Sequence, residues 1–555
     1  MKRLNKTIFI GILLWSLIGT ILFPAFRTLL VSFTAKDRFS FSHYIDFFEN
    51  ANMIETLLNS LLLGLLTVIS CGLVGTGLAF LVHYIDMPYR KLVDRILVLP
   101  IMLPGLIIVF AFVQLYGESG IITQSIKYIL NLNGLPYHFK GLGGILFVHT
   151  YTQYVYFYLN VSIGIKQLDQ SVIEASRNLG ATRWGVFRTV IIPYLKPALI
   201  ASIIVTFMSG IGSFSAPSII GGNYRVMTVQ ILMSKANNYM SVAAMQVVVL
   251  SIASLSFLWV MKQYEKRILF DTSVRGMPFQ PVVLAHSSFR KLHYLLLIVL
   301  CTLIILPIVM IFVGSFVKSS SWMVNIFPTN FTIDNYVKVF MKSRAFAPFK
   351  NSVLMAFLAS SFTLVIGLSC STLITKTHHK VTPIIEFLVM LPWTMPASAI
   401  AINTINAYNK ATLFTFNQVL VGSYILLPIA YFVSALPIMV RTLNVSLNGL
   451  NDTYLEASQS LGASKTTSIL RIAIPLIFPG ILAGFLLVFI RSIGEYTMSA
   501  FLYTVSNKPI SIAMVNSIFE YDIGLAMTYG SLLLVLSIAL SSFIYWILPQ
   551  GGKSL

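Results

Sequence analysis

Charge is what this 555-residue chain has least of. Asp, Glu, Lys and Arg make up 10% of it against 57% hydrophobic residues, and mean hydropathy is +0.83. A water-soluble protein of this length needs more charge than that to cover its surface, so that class is excluded. Acid is scarcer than base, 18 residues against 38, which leaves a formal net charge of +20. Such a balance can mark a nucleic-acid binder. Here, however, Lys and Arg sit in short stretches between long apolar runs, which is the positive-inside pattern of a polytopic membrane protein and implies no nucleic-acid partner. Cysteine is nearly absent too: Cys71, Cys301 and Cys370 each fall inside an apolar run. They suit no disulfide framework or metal spacing and read as packing residues.

Reactive motifs are equally sparse. Gly552-Lys553-Ser554 looks like the end of a phosphate loop, but that motif needs glycine at 547, where Ile547 stands, and a strand before it. His378-His379 lies in a short basic loop and reads as a solvated turn rather than a metal site. No catalytic constellation is visible, and neither a resident metal nor a bound cofactor is expected.

What the chain does have is a repeat. Residues 174–193 read EASRNLGATRWGVFRTVIIP, and residues 456–475 read EASQSLGASKTTSILRIAIP. Glu174, Ala175, Ser176, Leu179, Gly180, Ala181, Ile192 and Pro193 recur as Glu456, Ala457, Ser458, Leu461, Gly462, Ala463, Ile474 and Pro475. Each mate lies 282 positions on (456 minus 174), so the chain is an internal duplication. In each copy a short helix leads to a glycine that permits a turn, and a second helical piece is expected to stop near Pro193 or Pro475. The result is a helix-turn-helix at the membrane surface, whose small residues let another protein approach.

The apolar runs predict an all-α fold of about twelve spans, arranged as two six-span halves. Lys2, Arg3 and Lys6 precede a first span to about Phe33, expected to be retained with the N-terminus in the cytoplasm. The third span carries LPIMLPG, with Pro100 and Pro104, and the ninth carries LPWTMPA, with Pro392 and Pro396; both should bend there. Asn59-Ser60 in the second span matches Asn351-Ser352 in the eighth. The expected organisation is a first half at 1–265, a cytoplasmic linker at 266–291 and a second half at 292–555. An even number of spans per half makes the repeats parallel and puts both polar loops, near 166–196 and 445–478, on the cytoplasmic side. Both termini then lie inside.

Polar residues within spans are costly in lipid and are the next candidates. His149, Gln153, Tyr156 and Asn160 share one face of the fourth span, and Asn403 and Asn406 share one face of the ninth. Each set can line a translocation path or make hydrogen bonds between helices. Arg491 and Glu495, four apart near the outer end of the eleventh span, can pair with each other or join that path; the first half has Ser209 and Ser213 there.

The two loops together carry a family resemblance. Glu174, Ala175, Ser176, Gly180, Val190, Ile192 and Pro193, with Glu456, Ala457, Ser458, Gly462, Ile472, Ile474 and Pro475, resemble the coupling loop of binding-protein-dependent ABC importer permeases. Ser176 and Ser458 stand where that family usually has alanine. The resemblance implies that each loop docks into a cleft on a separate ATPase. Two ATPase copies would then use the ATP, and an extracytoplasmic binding protein would supply cargo at a bacterial inner membrane. LPWTMPASAIAI at 391–402 and IGSFSAPSIIGG at 211–222 look most like the ferric-iron permeases. Relatives of that group handle thiamine, 2-aminoethylphosphonate, other phosphorylated small molecules and polyamines. A secondary transporter of parallel-repeat type would need ionisable residues at mid-membrane, of which the chain has almost none, and a membrane enzyme would need a reactive cluster.

Overall fold

The computed structural model describes residues 2–35, 38–267, 276–284, 286–323, 328–376, 379–451 and 453–547. His378 and Gly552-Lys553-Ser554 lie outside the described residues. Among the described residues ten helices are long and apolar enough to cross a bilayer: Thr7–Ser32, Ala51–Tyr84, Gly105–Ile129, Arg183–Ile220, Met240–Lys266, Ser287–Ser315, Ser343–Lys376, Leu426–Asn448, Ile469–Ile493 and Ile523–Ile544. An eleventh is the broken pair Thr382–Thr394 and Ala397–Tyr408, bent by 114°. The expected twelve is reached only by counting Gly141–Lys166, whose 26 residues span about 39 Å at the α-helical rise. Its His149, Thr150, Thr152, Gln153 and Asn160 leave it less apolar than the others.

The proline pairs break their spans rather than merely bending them. Pro100 and Pro392 open short 3-10 turns, and Pro104 and Pro396 stand just before the next helix. Leu103 and Met395, each preceding a proline, are extended, which is the backbone that a following proline ring imposes.

The halves are interlocked by their first spans. Phe23–Ser32 packs on Ala397–Tyr408 of the second half, and Ser287–Ser315 packs on Gly105–Tyr116 of the first. Asn406 Nδ2 donates to Thr28 Oγ1 (3.2 Å), the Tyr408 hydroxyl to the Gly19 carbonyl (2.8 Å), and the Tyr151 hydroxyl to the Ile304 carbonyl (2.6 Å). One apolar core therefore runs through both halves, holding Phe110, Phe207 and Phe214 with Tyr431, Phe501 and Met514. At one end of the seam Gly212 lies against Pro396, Gly494 against Pro104, and the Phe214 and Tyr496 rings meet with centroids 5.5 Å apart.

The duplication persists in detail. Asn59 donates to the Arg225 carbonyl (3.0 Å), and Ser60 Oγ accepts from the Met227 amide (2.7 Å). Asn351 donates to the Lys508 carbonyl (3.1 Å), and Ser352 Oγ accepts from the Ile510 amide (2.8 Å).

Among the described residues four wide π turns interrupt the helices, at Ile18–Leu22, Phe80–Tyr84, Phe187–Ile191 and Ile469–Ala473. The last two correspond between halves. The seventh and eighth spans, Ser287–Ser315 and Ser343–Lys376, run as uninterrupted α-helix where the first two turns would fall. These turns correct one expectation: the second helical piece of each loop does not stop at Pro193 or Pro475. It passes through the π turn into the span, and each proline stands in the first turn of the α-helix that follows. The wide turn hands over to a fresh α-register, and a proline in a first turn removes no helical hydrogen bond.

The paired coupling loops as candidate functional site

Each loop is built the same way. The first has a helix Gln170–Asn178, a turn at Gly180, and a helix starting at Arg183; the second has Thr453–Ser460, Gly462, and a helix from Lys465. Gly180 and Gly462 have φ of +88° and +89°, the left-handed region that a side chain resists. The amide of Ala181 bonds the Ser176 carbonyl (3.1 Å), and the amide of Ala463 bonds the Ser458 carbonyl (3.1 Å). That six-to-one bond across a left-handed glycine is the Schellman ending of a helix. The next helix is capped by Thr182 Oγ1, accepting from Gly185, and by Ser464 Oγ, accepting from Thr467, both at 3.1 Å. Sequence reasoning passed over Thr182 and Ser464, although a hydroxyl residue two places after the glycine is an N-cap signal.

The loops rest on the membrane domain by one side and are bare on the other. Ile173 is buried in a cluster with Val161, Ile165 and Leu168, and its mate Leu455 packs against Leu447, Leu450 and Ile477's cluster. Glu174, Ala175, Glu456 and Ala457 are exposed, and Ser176 and Ser458 are half-buried. The Ser458 hydroxyl meets that of Ser468 at 2.8 Å, so this departure from alanine is used within the loop. At the tip Leu179 is 89% exposed and Leu461 90% exposed. The exposed leucine thus stands at the same point of both loops.

The polar residues inside spans are mostly engaged between helices. His149 is buried, with Nδ1 2.9 Å from Thr67 Oγ1 and Nε2 2.8 Å from Ser213 Oγ. Its positional mate Tyr431 meets Ser499 Oγ at 2.7 Å. Asn160 donates to Ser202 Oγ (3.0 Å), and Asn403 to Met395 Sδ (3.7 Å). Gln153 is buried, and its Oε1 finds no hydrogen-bond partner among the described residues. Arg491 and Glu495 do not form an ion pair within 4 Å among the described residues. The helix ends at Ile493, so the spacing that would bring them together is lost, and Glu495 Oε2 instead accepts from the amides of Met498 (2.8 Å) and Ser499 (3.4 Å). Arg491 is exposed, and Tyr156 of the first half lies within its electrostatic reach.

Two interlocked repeats of membrane-spanning helices, each carrying a surface helix-turn-helix with a bare leucine at its tip, define a multi-pass membrane protein of duplicated form. The family described as the binding-protein-dependent transport system inner membrane component matches residues 52–270 and 363–550, and this chain belongs to that family. It is 26% identical over 535 residues to a probable ABC transporter permease protein, y4fN, of Sinorhizobium fredii, covering 95% of this chain and 94% of that one. It is 25% identical over 545 residues to the ferric transport system permease protein FbpB of Actinobacillus pleuropneumoniae, covering 95% of this chain and 76% of that one. The spermidine/putrescine transport system permease protein PotB of Escherichia coli is 31% identical over 238 residues, 39% of this chain and 82% of that one. The chain is thus an ABC importer permease of the inner membrane in fused two-half form.

Proposed function

We propose that this chain is the membrane subunit of an importer for ferric iron, served by two copies of a cytoplasmic ATPase and by an extracytoplasmic binding protein. The observation that carries the ATPase assignment is the matched pair of loops, each with a left-handed glycine and a bare leucine at one offset. Two like docking points accept two like partners. ATP is used on those partners, and this chain binds no cofactor of its own. When the ATPase pair closes, the loops are drawn together and the halves rock about the seam, opening it to one side and then the other. An even number of spans per half puts both loops and both termini on one side, and the Lys- and Arg-rich short loops on that side make it the cytoplasm.

Ferric iron is supported by the relative of that name, which is matched along nearly the whole chain, whereas the polyamine relative is matched along 39%. A second reading, 2-aminoethylphosphonate or another phosphorylated small molecule, is favoured by Arg491. This exposed cation lies three residues before Gly494, which meets Pro104 of the first half, and a guanidinium pairs readily with phosphonate oxygens. The test is calorimetry on the binding protein captured by cross-linking to the external face. Ferric ion should bind it and 2-aminoethylphosphonate should not. The reverse result would change the cargo and leave the importer class standing.

A further inference from the structure

The two loops differ in one respect, which lies where the halves are joined. Residues 276–284 of the linker run back across the start of the first coupling helix. The amides of Gly276 and Met277 donate to the Asp169 carboxylate, at 2.8 Å to Oδ2 and 3.2 Å to Oδ1. The Gln170 amide donates to the Met277 carbonyl (3.0 Å), and the Gln280 amide to Gln170 Oε1 (3.4 Å). Further on, the Val282 amide donates to the Tyr84 carbonyl (2.8 Å), and the Asp86 amide to the Val282 carbonyl (3.0 Å). The Phe279 ring stacks on Tyr84 with centroids 5.3 Å apart and packs against the cluster that seats Ile173.

Asp169 is the clasp. It also caps the coupling helix, with Oδ1 accepting from the Ser171 amide (2.9 Å) and the Ser171 hydroxyl (2.6 Å). One carboxylate thus takes four donors, two from the helix it caps and two from the linker. The Ser171 hydroxyl, followed by the Gly276 amide, holds its carboxyl below the usual carboxylate range. Glycine at 276 lets the linker come this close: a Cβ there would stand 2.6 Å from Asp169 Oδ2 and 2.7 Å from Ser171 Oγ, so the Asp169 carboxylate would have to move away.

The mate of Asp169 is Asn451 (451 minus 169 is 282). Its Oδ1 accepts from the Thr453 amide (3.1 Å) and hydroxyl, so the cap is kept. Lys376 Nζ reaches the neighbouring Leu450 carbonyl (3.2 Å), but no backbone strand crosses the start of the second helix among the described residues. An amide oxygen suffices for a cap. A carboxylate is needed where two further N–H groups arrive.

We propose that the inter-half linker splints the first coupling helix through Asp169, and that Asp169 is a positioning residue which makes the two ATPase-docking helices mechanically unequal. This rests on the reading that the loops dock an ATPase. A splinted helix passes ATPase closure to its half without tilting on its seat, whereas the second helix can tilt.

Asp169→Asn tests this with almost no change of shape. It keeps the Oδ1 that caps Ser171 and turns an amide donor toward the Gly276 N–H. Gly276→Val is the second variant and pushes the linker off from the other side. In the full chain with its ATPase, both should speed amide exchange over 170–178 and leave 453–460 unchanged. The ATPase should still co-purify, while uptake per ATP hydrolysed falls severalfold. A merely structural role would lower abundance without moving that ratio. An unchanged ratio in both variants, with exchange over 170–178 raised, would overturn the splint. Unchanged exchange in both would overturn the clasp itself. The docking reading fails separately: it falls if Gly180→Val with Gly462→Val leaves ATPase co-purification intact.

Discussion

Gly494 of the second half touches the ring of Pro104 of the first so closely that a β-carbon on the glycine would overlap it. The reciprocal pair is looser, since a β-carbon on Gly212 would stand 3.4 Å from Pro396 Cβ and 3.1 Å from the Met208 carbonyl. Two positions that the duplication makes equivalent are thus unequal in space. Gly494→Ala should wedge this end of the seam open, at an overpacking cost of about 1–3 kcal/mol, and uncouple ATP hydrolysis from uptake. Gly212→Ala should be much milder. Uptake and ATPase assays on both variants at matched abundance decide it, and equal phenotypes would contradict the unequal seam.

The coupling glycines make a second prediction. Neither Gly180 nor Gly462 has an atom within 4 Å of where a β-carbon would sit, so a side chain there meets strain in the backbone and not a collision. A β-branched residue held left-handed costs roughly 1–2 kcal/mol, whereas asparagine tolerates that region. Gly180→Val or Gly462→Val should leave the protein in the membrane, weaken ATPase co-purification and abolish uptake. Gly180→Asn and Gly462→Asn should retain most activity. Failure of asparagine to rescue would show that glycine is needed there for something other than its φ.

Topology is checked by labelling. In a background without Cys71, Cys301 and Cys370, cysteine at Leu179 or Leu461 should react with an impermeant reagent only from the cytoplasmic side. Cysteine at Asn133 or Asn330 should react only from outside. Labelling of the two loops from opposite faces would end the parallel arrangement.

Much of this was visible in the residues, and the gaps have physical causes. The duplication, the glycine turns and the proline breaks are local features, and each showed in a few adjacent residues. Continuity through Pro193 did not show, because a π turn has no simple residue signature and it is what makes the proline harmless. The Arg491–Glu495 spacing suggested an ion pair only because a helix was assumed to run to 495, two residues past its end. Asp169 escaped notice altogether, since its linker partners lie 107 and 108 positions away and are backbone amides, which every residue but proline carries.

The Lys338–Asp522 contact offers a pH test. Burial alone would raise the Asp522 carboxyl, but hydrogen bonds from Lys338 and Ser319 outweigh it and hold the group below the usual carboxylate range. A carboxyl depressed on folding contributes stability above its unfolded value, near 4, and that contribution is lost as pH falls through the lower folded value. Thermal stability in detergent should therefore drop more steeply below about pH 4 in the wild type than in Asp522→Asn. At neutral pH the variant should be the less stable of the two. Parallel profiles would show that the Lys338–Asp522 contact adds nothing.

The wide turns also record an order of events. The one at Phe187–Ile191 has its twin at Ile469–Ala473, so it was already present in the single six-span ancestor before that gene doubled. The turns at Ile18–Leu22 and Phe80–Tyr84 have no twins in the seventh and eighth spans, so they were gained by one copy, or lost by the other, afterwards. The link from coupling helix to fifth or eleventh span has accordingly been kept alike in both copies, and the first two spans are where the copies have since drifted apart.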